Sequence, residues 1–166
     1  MEINKFINSG KNLERIVYFH IKRKHLIKIP TNKILIESHI EKAKHNLKFF
    51  NKNINDNEFN DWLIVALYYA LYHSALALLA NKGYTSKNHT ATLLFIIKNY
   101  SISKDEADLI NDLYIKREDA EFYVDLKEKR HNASYDTQIL FTDNTIKYYQ
   151  SKVIDFLNKV EDMLKD

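Results

Sequence analysis

The chain has 166 residues, a net charge of +3 and no cysteine. That length suits one domain able to bury a core without staples, and the charge alone does not imply nucleic acid. The missing cysteine excludes disulfides, thiolate nucleophiles and cysteine-type zinc sites.

Two glycines and one proline leave few residues for tight turns. Long helices with short connections are therefore expected rather than hairpins. The opening "MEINKFINSGKNLER" lacks the apolar run of a signal peptide, and small secreted domains tend to use disulfides, so the chain is read as cytoplasmic. No heptads, low-complexity tracts or solenoid repeats occur.

Residues 1–30 read as a basic N-terminal extension without an assigned structure, and residues 31–166 as a helical bundle. Within the extension, "RIVYFHIKRKHLIKIP" fits either a basic helix or two short extended pieces, ended by Pro30. Next, "NKILIESHIEKAKHNLKFF" places Ile36, Ile40, Ala43, Leu47 and Phe50 at helical steps. An Asn-rich connection leads to "DWLIVALYYALYHSALALLANKG", apolar on all sides except at His73 and Ser74. It is about as long as the shortest membrane span. Its tyrosines, histidine and serine would lose their polar partners in lipid, so the expectation is a surrounded bundle helix stopped by Gly83, and no membrane.

"SKNHTATLLFIIKNY" reads as a short helix with Ser86 as N-cap, and Ser103 to Glu106 ("SKDE") as a capping box opening a long helix. That helix carries Leu109 and Leu113 and reaches "KREDAEFYVDLKEKRHNASYD", with a bend expected on the way. After the connection "TQILFTDNT", the last amphipathic helix turns Ile146, Val153, Phe156, Leu157, Val160 and Leu164 inward. The expected fold is all-α, an up-and-down bundle of about five helices.

Three separated motifs resemble HEPN domains. "HIEKAKHNLKFF" is similar to their first helix, and "DWLIVALYYALYHSALALLANKGYTSKNHTATLLF" to their second and third. "RHNASYD" resembles the Arg-x-x-Ala-x-Tyr signature that ends their later long helix, although "REDAEFY" begins the same way; Arg130 is preferred as its arginine because Asp136 and a polar connection follow, while a straight helix would set Arg117 near the buried face. The resemblance spans roughly Ile36 to Leu164. It implies a bundle that commonly dimerises and contacts RNA or a nucleotide. In many members it implies an RNA-cleaving toxin encoded beside a nucleotidyltransferase antitoxin. Those nucleases place a histidine about four to six residues after the arginine. Neither Arg117 nor Arg130 has one there, and His131 is directly adjacent to Arg130.

Arg130 offers a planar fork for phosphate, Asn132 a neutral donor and acceptor, and Tyr135 a ring for a base; an arginine bonded to helix-end carbonyls is the plainer reading. His89, at a helix start, is placed to meet an anion or simply to cap the helix. His73, in the apolar helix, is either a proton carrier or a core histidine with one neighbour, and the second is preferred. Ligand-binding candidates are thus Arg130, Asn132, Tyr135, Arg117 and His89, and catalytic candidates Arg130, His89 and His73. No histidine spacing indicates a metal, and no motif indicates a cofactor. Lys22, Arg23, Lys24, His25 and Lys28, interleaved with Tyr18 and Phe19, make either a solvated face or a nucleic-acid contact.

The resemblance, together with these residues, implies three functions: an RNA- or nucleotide-binding module that does not cut, a ribonuclease toxin with a rearranged site, or a dimeric partner of a nucleotidyltransferase. The missing Arg–His spacing favours the first.

Overall fold

The computed structural model describes residues 10–55, 60–129 and 141–165, and for 122–129 the backbone alone. Six helices occur in these residues: α1 (Gly10–Lys22), α2 (Lys33–Asn53), α3 (Asn60–Asn81), α4 (His89–Asn99), α5 (Lys104–Lys129) and α6 (Asp143–Met163). Two short strands, β1 (Leu26–Lys28) and β2 (Tyr84–Ser86), pair antiparallel.

The architecture follows from α3, whose sequence has no polar face. A helix apolar on every side must be covered on every side, and α3 packs on α2, α4, α5, α6 and β2. Its length and composition would allow it to cross a membrane, but 83% of that apolar window is buried inside the domain. Leu63, Ile64, Leu67, Leu71, Leu78 and Leu79 are completely enclosed. The neighbouring helices each supply one stripe to this core: Ala43, Leu47 and Phe50 from α2, Ala107, Ile110, Leu113 and Ala120 from α5, and Ile146, Val153, Phe156 and Val160 from α6.

Capping fixes several helix starts. Asn32 accepts from the amides of Ile34 (2.9 Å) and Leu35 (3.4 Å) at the start of α2. The expected capping box holds: Ser103 N donates to Glu106 Oε2 at 2.7 Å, and Glu106 N donates to Ser103 Oγ at 3.2 Å. Lys159 of α6 then reaches both Glu106 oxygens (2.7 and 2.8 Å) and the Ser101 carbonyl (2.8 Å), tying α6 to the first turn of α5.

Two local features differ from the expectation. The cap of α4 is Asn88, whose Oδ1 accepts from Ala91 N at 2.8 Å. Ser86 instead ends β2, opposite Leu26, and its Oγ accepts from Asn88 N at 3.0 Å. The long helix expected from the capping box onward is a single element, α5, from Lys104 to Lys129. Finally, a small sheet exists despite the scarcity of turn residues. Its strands come from distant parts of the chain and need no hairpin. Gly83 turns the chain into β2 at φ +72, and its carbonyl accepts from Ile29 N at 2.8 Å; Lys24, at φ +57, turns it into β1.

Residues 10–30 resolve the two readings of the basic segment into one helix followed by one strand. Leu13 and Val17 of α1 and Leu26 of β1 enter the main hydrophobic cluster, and α1 lies against α4.

Candidate functional site

Arg117 stands at the edge of the α5 core stripe, four residues after Leu113 and three before Ala120. That position leaves its side chain 17% exposed and turns it toward the tyrosines of α3. Its guanidinium carbon lies 4.9 Å from the Tyr68 ring centre and 5.2 Å from that of Tyr114, one turn earlier on α5. Tyr68 in turn stacks on Tyr72, one turn along α3, at 5.6 Å and 11°.

The first residue of α4 completes the cluster. His89 stacks flat on Tyr114, with ring centres 3.9 Å apart and planes at 12°. Its ring also lies 6.0 Å from Tyr68 and 6.3 Å from Tyr72. An arginine and a histidine separated by 28 positions thus share one tyrosine ring where α3, α4 and α5 meet.

Electrostatics set the protonation state. His89 is only 9% exposed, and neither of its buried ring nitrogens has a hydrogen-bond partner; Arg117 Nε is in the same condition. Burial, and then the nearby Arg117 charge, push the His89 pKa down to about 4. At neutral pH the imidazole is therefore uncharged, and the Arg117 guanidinium is the fixed cation of the cluster. That charge is partly answered by Glu121 (3.2 Å) and Glu118 (3.7 Å), both on exposed side chains that can swing into solvent. Burial raises the pKa of Tyr68 and Tyr72, so both hydroxyls remain protonated donors.

The other sequence candidates divide clearly. His73 is half-buried and pairs with His39 of α2, Nδ1 to Nδ1 at 3.1 Å. Burial and His39, with a smaller effect of Lys42, lower its pKa to about 4. This is a histidine with one neighbour, on the α2 side of α3. His89 is not a cap, because Asn88 performs that role. Arg130, Asn132 and Tyr135 lie outside the described residues. Tyr114 was not singled out from the sequence. Its only signal there is its place three residues before Arg117, which puts both on one helix face.

Among the described residues, no group of three or more His, Asp and Glu side chains could hold a metal ion. A groove of about 690 Å³ runs between α5 and α6, where five carboxylates (Asp105, Glu106, Asp108, Asp112 and Asp155) outnumber two lysines, Lys152 and Lys159. The excess of negative charge disfavours a polyanion there. Tyr149 there donates a hydrogen bond to Asp112.

The bundle is thus built around the largely buried α3, with an Arg–Tyr–His cluster at its edge. The HEPN domain model matches residues 36–165, and the chain belongs to the HEPN family. It is 30% identical over 134 residues to a Methanocaldococcus jannaschii protein named "Putative toxin MJ0142", covering 78% of this chain and 81% of that protein.

Proposed function

We propose that this protein is a HEPN toxin-type module that acts by holding RNA, with Arg117 as its phosphate contact and the half-buried Tyr72 and Tyr114 beside it as its base contact. The observation that carries the reading is the shared Tyr114 ring, on which Arg117 and an unpartnered His89 converge. A guanidinium beside aromatic faces suits a phosphate and its base. The name carried by the archaeal relative supports the toxin part. A nucleotidyltransferase partner and a two-fold homodimer, implied by the family resemblance, belong to the same reading.

Binding without efficient cleavage is favoured by burial. Attack by a 2′-hydroxyl needs a base within hydrogen-bond reach and a group that stabilises charge on phosphate. Arg117 suits the second task. His89 is neutral and chemically suited to the first, but its ring nitrogens are buried under Tyr114 and its neighbours. Cleavage is the second reading, and it requires the Tyr114 ring to move aside.

Fluorescence anisotropy with a labelled RNA, combined with a gel of the same RNA after incubation, tests both. Salt-sensitive binding lost in Arg117→Ala, with intact RNA, supports the proposal. Cleavage abolished by both Arg117→Ala and His89→Ala establishes the ribonuclease instead. Loss of binding in Arg130→Ala but not in Arg117→Ala moves the phosphate contact to the other arginine.

A further inference from the structure

The family match begins at residue 36, so α1 and β1 lie outside it. These elements hold an unusual concentration of charge. Between Gly10 and Lys28 there are six Lys and Arg residues and one carboxylate, Glu14, in a chain whose net charge is only +3. The remaining residues are therefore net acidic.

The side of α1 that faces outward is fixed by the side that does not. Leu13, Val17 and His20 are buried against the bundle. On the opposite side, Lys11, Arg15, Tyr18 and Lys22 succeed one another at helical steps of three and four residues with Phe19 beside Tyr18, and all five are exposed. Tyr18 is 58% and Phe19 48% exposed, which is high for large rings on a folded domain. Each is associated with a cation: Lys22 Nζ lies 5.3 Å from the Tyr18 ring centre, and the Arg23 guanidinium carbon lies 5.0 Å from that of Phe19.

We infer that this outer face of α1 is a binding surface for single-stranded RNA, with Tyr18 and Phe19 stacking on unpaired bases and Arg15, Lys22 and Arg23 holding the phosphates. The inference rests on the RNA reading above and adds a second surface to it. Exposed rings interleaved with cations form a platform that stacks any base and tracks any backbone. Duplex RNA keeps its bases stacked on one another and presents mostly backbone, so it would use the cations and leave the rings idle. An anionic membrane fits less well, because the apolar stripe of α1 is already seated on the bundle and its exposed side carries no aliphatic residue. From Lys11 to Lys22 the face extends about 16 Å along the helix.

The test uses the full chain, a short fluorescent oligouridylate, the same oligomer in a duplex, and vesicles containing phosphatidylserine. Tyr18→Ala/Phe19→Ala should weaken oligouridylate binding about tenfold or more. Arg15→Gln/Lys22→Gln/Arg23→Gln should reduce the slope of log affinity against log salt by about 2. Unchanged circular dichroism is expected in both variants, since every substituted side chain is exposed. Wild-type binding by the aromatic variant overturns the inference, as does equal affinity for single strand and duplex. Losses confined to the vesicles would assign the face to membrane lipid and also overturn it. If the α1 variants bind normally while Arg117→Ala does not, only this inference fails. The converse pattern removes the Arg117 reading and leaves this one standing.

Discussion

His89→Phe is expected to make the protein more stable, and the gain should grow in acid. Phenylalanine preserves a flat ring on Tyr114, where His89 now stacks at 3.9 Å. It also removes two buried nitrogens that have no partner. Each such group costs about 1–3 kcal/mol, and slight overpacking by the larger ring offsets part of the relief, so a net gain of about 1 kcal/mol is expected at pH 7. Proton linkage then adds to it. The folded pKa of His89 is about 4, below the ordinary value of 6.5. Between those values the unfolded chain binds a proton that the folded chain excludes, so wild-type stability falls as the pH drops through this window and loses nothing more below it. At pH 4.5 the loss from this one site is about 2 kcal/mol, a figure that follows from 1.36 kcal/mol per pKa unit. His73, His39 and His20 also have lowered pKa values and act in both proteins. The difference between variant and wild type therefore isolates His89. Urea unfolding at pH 7 and pH 4.5 should show a gap widening from about 1 to about 3 kcal/mol. A gap that is the same at both pH values, or a less stable variant at pH 7, would refute the reasoning.

Gly83→Ala should destabilise by about 2 kcal/mol or more in the same assay. The position has φ +72, and an added Cβ would stand 2.9 Å from the Ile29 carbonyl oxygen. Lys159→Met should lower stability at pH 7 by about 1 kcal/mol, because the lysine joins Glu106 and the Ser101 carbonyl across two helices. The Glu106 pKa is depressed: burial alone would raise it, but the hydrogen bonds from Lys159 and Ser103 outweigh that effect. This contribution is therefore full above the usual carboxylate range and fades as the pH falls through the folded pKa, so the deficit of the variant should shrink in acid. Static light scattering should give twice the 19.7 kDa chain mass, in keeping with the exposed apolar side chains Trp62, Ile115 and Tyr148; a monomer mass would remove the dimer from the proposal.

Signals confined to one or two helical turns were readable in advance. The all-round apolar character of α3 required a central position. The Ser103–Glu106 box and the inward stripe of α6 were legible because each depends on spacings of three or four residues, which a helix converts directly into contacts. The same arithmetic puts Arg117, four residues after Leu113, beside the buried stripe of α5. The α1 helix was harder to see, because its three buried positions, Leu13, Val17 and His20, are surrounded by lysines and arginines.

Choices between chemically equivalent residues were settled elsewhere. Ser86 and Asn88 can both cap a helix; pairing of Ser86 with Leu26 in the small sheet leaves the task to Asn88. His89, at a helix start, had every local reason to face solvent, yet α3 and α5 close over it and its pKa falls. His73 found its partner 34 positions away, in His39. The candidate site has the same origin, since Tyr68, His89, Tyr114 and Arg117 belong to three different helices. Helices and their buried stripes are properties of neighbours along the chain, so the order of residues specifies them. Which polar side chains meet at the edge of the bundle is a matter of packing between helices. That outcome depends on how helices distant in sequence pack around α3, and no local spacing encodes it.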